Sequence, residues 1–159
     1  RVRAMVLIPR TLCQPHAFAA VDFRRFLSEL LPILMESYGM VSGNVRMEID
    51  ALDVKLPINQ AIPCGLIVNE LVSNALKHGF AQQERGAIRV ALACDEHDHI
   101  ELSISNDGAP IGPDQNLDRA GSLGLQLVRM LARQLHGQLD VQRAPTTRFS
   151  LRFPLSPNP

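Results

Sequence analysis

The stretch of the chain that decides its fold is NELVSNALKHG, residues 69–79. Its apolar positions have helical spacing, and on a helix Glu70, Asn74 and Lys77 share one face because they are four and three residues apart. Acceptor oxygens with a lysine one turn further along suit a hard cation and a phosphate. A solvated polar face would show the same spacing, so the spacing alone leaves both interpretations open.

Two further stretches have chemistry that suits a nucleotide. SNDGAP, residues 105–110, ends a predicted strand, where Gly108 lets another group approach the backbone and a neighbouring side-chain oxygen can accept from a base amine. GSLGL, residues 121–125, opens a predicted helix whose free N–H groups and dipole make an anion site. Each stretch alone also fits a simple turn or loop exit. Because the chain has no GxxxxGK[ST] loop, an ordinary P-loop protein is excluded.

The elements around these stretches predict the class of fold. Helical periodicity covers residues 22–38, 59–78 and 123–135, and strand-like patterns cover 45–49, 53–56, 87–94, 100–105, 138–142 and 148–153. This order predicts an α+β fold, a two-layer α/β sandwich with helices on one face of a mixed, mostly antiparallel sheet. The long loop at 109–122 is predicted to be a mobile lid that orders when nucleotide binds.

Composition bounds the possible partners. A chain of 159 residues is long enough for one domain with a single core. Its 16 basic and 16 acidic side chains cancel, so no whole-domain basic field exists and a nucleic-acid partner is excluded. No run of about 18 apolar residues is present, so no membrane span is predicted. The domain is expected to be cytoplasmic and without membrane contact, and membrane anchoring of the full-length protein stays open. The three cysteines are far apart and have no metal-ligand spacing.

Taken together, the three stretches resemble the N, G1 and G2 boxes of the histidine kinase ATPase domain, whose fold is shared with gyrase, the Hsp90 chaperones and the mismatch-repair ATPases. TRFSLRFP, residues 147–154, resembles the closing strand of that family. The resemblance implies a Bergerat-type ATP-binding fold and a bacterial sensor histidine kinase. It also divides the chain into the end of a dimerisation helix hairpin at 1–14 and a catalytic ATP-binding domain at 15–159.

The resemblance implies a site that uses ATP and Mg²⁺. Asn74 would coordinate the Mg²⁺, and Glu70, the second implied catalytic residue, would orient a water or accept a proton. Asn106 would bind the adenine amine, with Thr147 supporting it from the last strand. The full set of implied ATP contacts is Asn74, Lys77, His78, Asn106, Asp107, Gly108, Gly112, Gly121, Ser122, Leu123, Gly124, Leu125 and Thr147.

The implied activity is transfer of the ATP γ-phosphate to a histidine on an upstream dimerisation hairpin. None of the five histidines has the phosphoacceptor context, so that histidine is expected outside this chain. The implied partners are ATP, the protein's own hairpin and a response regulator, in a full-length homodimer.

Two alternatives stay open at this point. One is a degenerate nucleotide- or partner-binding module without kinase activity, because Asn106 stands where the family usually has Asp and Pro110 stands where it has glycine. The other is an anti-sigma-type serine kinase, which shares the fold. The hairpin-like segment at 1–12 argues against this second alternative, since such kinases lack it.

Overall fold

The computed structural model describes residues 20–39, 44–51, 54–80, 85–108 and 123–156. The predicted lid at 109–122 and the predicted hairpin segment at 1–14 lie outside these ranges. The helices within them are α1 Phe23–Ser37, α2 Ile58–Asn74 and α3 Leu123–Gln134. The strands are β1 Ala20–Asp22, β2 Val45–Ala51, β3 Lys55–Pro57, β4 Gly86–Cys94, β5 His99–Asn106, β6 Gln138–Gln142 and β7 Thr147–Pro154.

The main sheet has five strands in the order β2-β4-β5-β7-β6. β2 runs parallel to β4, and the other three pairs are antiparallel. The prediction of a mixed, mostly antiparallel sheet is therefore confirmed. A separate antiparallel pair, β1 with β3, was not predicted, because β1 has only three residues and shows no alternation.

The helices cover one face of the sheet, as predicted. Alternate residues of the central strands point into the core, and the members on β4, β5 and β7 are Ile88, Val90, Leu92, Ile100, Leu102, Ile104, Phe149, Leu151 and Phe153. Helix α2 fills the other side of the core with Ile67, Val68, Leu71 and Val72. Each fully buried side chain of this size contributes about 1.5–3 kcal/mol relative to an exposed one. The core between these two layers thus holds α2 firmly against the strands.

The opposite face of the sheet is polar, and its arginines are paired across strands. Arg89 lies 2.7 Å from Asp50, and Arg148 lies 4.0 Å from Glu101. Such exposed pairs contribute little stability, at most about 1 kcal/mol each. Because the side chains of these pairs are exposed, no second layer of helices covers this face among the described residues. The two-layer prediction is therefore confirmed.

A buried glutamine ties the start of α2 to the end of β7. Nε2 of Gln60 donates to the backbone oxygen of Pro154 at 2.9 Å, and its Oε1 accepts from the backbone N–H of Ser156 at 3.0 Å. Gln60 is only 6% exposed, so water does not compete for these bonds. The clamp fixes α2 relative to the strand that carries Thr147 at its other end.

Helix α2 changes its geometry just before the candidate site. The sequence predicts one long helix over residues 59–78, and the structure has helical turns throughout that range, but the α-helix ends at Asn74 and a π turn continues it at Ala75–Gly79. The change to π geometry was not predicted. Single π turns inside helices occur often at functional sites, because they redirect side chains without breaking the helix. No helix in the described ranges is long and apolar enough to cross a membrane.

Candidate functional site

The polar residues of the first stretch lie at the end of α2. Glu70 and Asn74 are half-buried on the α-helical part, whereas Lys77 and His78 are exposed on the π turn. Nζ of Lys77 lies 5.7 Å from the centroid of the Tyr38 ring, close enough for a cation–π contact. That contact directs the lysine towards the end of α1.

The second stretch is the end of β5. Asn106 is the last residue of that strand and only 9% exposed, and it pairs in register with Ile88 of β4 and Thr147 of β7. Its Oδ1 accepts from the backbone N–H of Gly108 at 3.1 Å, which closes a turn typical of asparagine. One lone pair of this oxygen is therefore used inside the protein, and one remains for a ligand.

The carboxylate of Asp107 turns towards β4. Its Oδ1 accepts from the backbone N–H of Ala87 at 2.7 Å, and its own N–H donates to the Ala87 oxygen at 3.3 Å. These bonds continue the β4–β5 pairing past the end of the strand. The structure therefore gives Asp107 a clear role in anchoring the turn.

Two glycines bring the first two stretches into contact. A Cβ added at Gly108 would overlap the backbone oxygen of Gly79 and would lie 2.7 Å from its carbonyl carbon. A Cβ added at Gly79 would lie 3.1 Å from Oδ1 of Asn106. The π turn thus packs backbone to backbone against the end of β5, which leaves no room for a side chain between them.

Gly79 is the residue of this site that sequence reasoning missed. Its place directly after the predicted helix 59–78 suggests a helix stop, a role in which glycine is usually left-handed. Among the described glycines, only Gly39 has a positive φ, so Gly79 is needed for close approach and not for its torsion angles. The sequence feature that could have indicated this role is the position of Gly79 directly after the polar helix face, since the glycine-bearing turn at Gly108 packs there.

Thr147 supplies an unused hydrogen-bonding group next to Asn106. It is 4% exposed, and its Oγ1 is buried with no hydrogen-bond partner. Leaving a buried hydroxyl unpaired costs about 1–3 kcal/mol. The unpaired hydroxyl belongs to the residue that pairs in register with Asn106, whose Oδ1 atom can accept a second hydrogen bond. Two such groups suit a polar ligand. These residues therefore fit a nucleotide base.

The third stretch meets the first at the start of α3. A Cβ added at Gly124 would lie 2.5 Å from Oε2 of Glu70, so this carboxylate lies against the first turn of α3. A negative group is favoured there by the helix dipole. Leu125 is partly buried against the core, and Leu123 is 84% exposed. Gly112, Gly121 and Ser122 lie outside the described residues, so their predicted ATP contacts stay predictions.

The geometry brings the three stretches together in two contacts, Gly79 with Gly108 and Glu70 with Gly124. Comparison with known proteins gives the family. The sequence model of the histidine kinase-, DNA gyrase B- and HSP90-like ATPases matches residues 59–157, a range that contains every candidate site residue. The chain belongs to this family. The resemblance that its motifs carry is thereby confirmed, and use of a nucleotide follows from membership of an ATPase family.

Several proteins similar to this ATPase domain are named as histidine kinases. It is 30% identical to the blue-light-activated histidine kinase 2 of Erythrobacter litoralis over 159 residues, which are 98% of this chain and 46% of that protein. It is 28% identical to the sensor histidine kinase PdtaS of Mycolicibacterium smegmatis over 140 residues, 85% of this chain and 28% of that protein. The chain thus spans less than half the length of either relative.

The structural comparisons bear on the fold of the ATPase domain alone. A histidine kinase domain from a blue-light-activated kinase of Erythrobacter litoralis superposes with a TM-score of 0.76 at 24% identity, over 97% of this chain and 72% of that one. The mycobacterial sensor histidine kinase MprB gives 0.68 at 21% identity, over 87% of this chain and 99% of that one. The predicted fold class is the fold that these two solved structures have.

Proposed function

We propose that this ATPase domain is the catalytic domain of a sensor histidine kinase, which binds Mg-ATP and transfers the γ-phosphoryl group to a histidine of a dimerisation hairpin. Residues 1–14 would be the end of that hairpin, and 15–159 the catalytic domain. A response regulator would then take the phosphoryl group within a homodimeric, cytoplasmic kinase region. The whole protein's activity and partners rest on this proposal.

One observation carries the proposal more than any other. The Gly79–Gly108 contact joins the end of the polar helix face to the end of β5, where Asn106 and Thr147 offer hydrogen-bonding groups to a base. A base held there would lie beside the π turn, with its phosphates towards Asn74 and the start of α3. That arrangement supports ATP as the substrate.

The donor set fits Mg²⁺ held together with a triphosphate. Among the described residues, no group of three or more His, Cys, Asp or Glu could hold a metal ion. Mg²⁺ is commonly bound through one or two side-chain oxygens together with water and substrate phosphates. Asn74 would supply its amide oxygen, and Glu70 would act through bound water. When bound, the ion would neutralise phosphate charge as it develops during transfer.

The transfer step requires little covalent chemistry from this chain. The imidazole nitrogen of the acceptor histidine forms a bond to the γ-phosphorus, while the bond from that phosphorus to the bridging oxygen breaks and ADP leaves with its electron pair. The proton on the other imidazole nitrogen passes to a carboxylate or to water. The chain's part is positioning and charge stabilisation, in which the N–H groups at the start of α3 face the transferred group. Glu70 is our candidate for accepting that proton.

A nucleotide titration with and without Mg²⁺ tests the binding step. We expect a dissociation constant in the low to middle micromolar range or weaker, roughly −6 to −8 kcal/mol. Asn74→Ala should weaken nucleotide binding in the presence of Mg²⁺ about tenfold or more, and should affect binding without Mg²⁺ less. Asn59→Ala is the matched control, because Asn59 is exposed in the first turn of the same helix. This substitution should leave nucleotide affinity unchanged. Absence of heat and of thermal stabilisation at millimolar Mg-ATP would contradict the proposal.

A second assay tests the transfer itself. This chain, mixed with labelled ATP and a separately supplied dimerisation hairpin, should place acid-labile label on the hairpin and none on itself. Label on the chain alone would show that the acceptor histidine has been misplaced.

One observation favours the alternative of a binding module without kinase activity. Asn106 replaces the usual Asp, and its oxygen already accepts from the N–H of Gly108. Nucleotide binding that persists while no hairpin becomes labelled would favour this alternative.

A further inference from the structure

A groove lies away from the candidate nucleotide site, between the later turns of α3 and strand β6. Its volume is about 480 Å³, and its lining includes Arg129 and Arg133 of α3, Leu139 and Val141 of β6, and Arg143 beyond that strand. Arg129 and Arg133 are four residues apart on a helix, so both point from one face. We call this surface the β6 groove.

Two arginines carry the charge argument for the β6 groove. Arg133 and Arg143 line it together with the carboxylate of Asp140. Arg133 and Arg143 have no ion pair with any described residue, whereas the sheet arginines Arg89 and Arg152 each bind an aspartate. Arginine forms its strongest hydrogen bonds with carboxylates, often two at a time. The groove therefore favours a ligand that carries carboxylates.

The backbone of the β6 groove offers a second kind of contact. β6 pairs with β7 on one side, and no described strand lies along its other side. Alternate residues of such an edge strand leave their N–H and C=O groups without a partner in the sheet. Leu139 and Val141 are half-buried beside it and provide apolar surface. A small anion would use the arginines alone, whereas an extended peptide would use all three features.

We propose that the β6 groove binds an extended acidic segment of a partner protein, which adds to the sheet beside β6 and places alternate acidic side chains under the arginines. Main-chain hydrogen bonds to β6 give affinity in this mode of recognition, and the arginines give specificity for carboxylates. The site is independent of the nucleotide site, because none of its lining residues belongs to the three motif stretches.

The test uses a short acetylated peptide of alternating valine and glutamate, titrated into the protein and followed by amide NMR shifts. Residues 138–142 and the later turns of α3 should shift, with a submillimolar dissociation constant that weakens at high salt. The valine–lysine counterpart should not bind. Free glutamate at equal concentration should leave the shifts unchanged. A glutamate peptide that is N-methylated on alternate residues, so that it cannot pair with β6, should bind at least tenfold more weakly.

Substitutions of Arg133 and Arg143 test whether these arginines bind the glutamate peptide. Arg133→Glu with Arg143→Glu should weaken the glutamate peptide about tenfold or more, and the neutral pair Arg133→Gln with Arg143→Gln should weaken it less. Arg24→Glu on α1 is the matched control, because Arg24 is exposed, lies outside the groove and has no ion pair with a described residue. The proposal is overturned if the peptide causes no shifts at millimolar concentration, if the lysine peptide binds equally, or if free glutamate reproduces the shifts, which would mean a small-anion site. Equal binding of the N-methylated peptide would also overturn it.

Discussion

Gly108 is the residue at which the smallest possible change should have the largest effect. In Gly108→Ala the new methyl group meets the backbone of Gly79, which cannot rotate away as a side chain could. We expect a loss of about 1–3 kcal/mol in unfolding free energy, together with much weaker nucleotide binding. Urea unfolding and calorimetric titration measure the two effects.

Gly39→Ala is the control for Gly108→Ala. Gly39 has a φ of 65° but nothing within 4 Å of an added Cβ. Its replacement should cost about 1 kcal/mol through backbone strain alone and should leave nucleotide binding unchanged. If the two variants bound nucleotide equally well, the Gly79–Gly108 contact would have no role in the site.

Asp95, at the β4–β5 turn, should make stability depend on pH. The backbone N–H of His99, the Arg152 guanidinium and the N–H of His97 all bind its carboxylate and hold its pKa well below the usual range. A carboxyl whose pKa is lowered by folding stabilises the protein above its unfolded pKa of about 3.9, and this stability is lost as the pH falls towards the lower folded value.

Replacing Asp95 by Asn isolates this effect. Asp95→Asn should unfold more easily than the parent chain at neutral pH, and the difference should shrink as the pH falls below about 4. Denaturant unfolding across a pH series measures it. A difference of the same size at neutral and at strongly acidic pH would mean that the charge of Asp95 is not what stabilises the turn.

Among the elements, α2 depends on its clamp to the end of β7. Gln60→Leu keeps the side-chain volume but leaves the Pro154 oxygen and the Ser156 N–H without Gln60 as partner. We expect the unfolding free energy to fall by about 1–3 kcal/mol, and the backbone amides just after the end of β7 to exchange faster. The control is Gln134→Leu, since Gln134 is exposed at the end of α3 and should tolerate the change. Equal stability of the two variants would contradict the clamp.

The elements also show what the sequence could and could not reveal. β4, β5 and β7 were predictable, because Ile88, Val90 and Leu92 and their counterparts alternate with exposed residues. β1 and the π turn were not, because neither leaves a local pattern. β1 exists through pairing with distant β3, and the π turn packs through Gly79 against Gly108. For the same reason, Asn74 and Asn106 could be found as candidates from motif spacing, but their arrangement depends on tertiary contacts.

At the scale of the whole molecule, nucleotide binding should stabilise the folded chain. A ligand that binds only the native state adds about 2.7 kcal/mol to the unfolding free energy when its concentration is a hundred times the dissociation constant. We expect Mg-ATP to raise the urea midpoint with an unchanged slope, and to do so much less in Asn74→Ala at the same concentration. A gain of the same size in Asn74→Ala would contradict the role proposed for that residue.

The two tight glycine contacts, Gly124 with Glu70 and Gly108 with Gly79, differ in whether a second substitution can make room for a larger residue. Gly124 meets the far end of the Glu70 side chain, so Gly124→Ala leaves a clash that a shorter acid could relieve, as in the double replacement with Glu70→Asp. Gly108 meets the backbone of Gly79, and no second substitution can shorten a backbone. The Glu70–Gly124 contact is therefore open to structural compensation by a second substitution. The Gly79–Gly108 contact is confined to glycine, and a chain that loses it should also lose the nucleotide that we propose binds there.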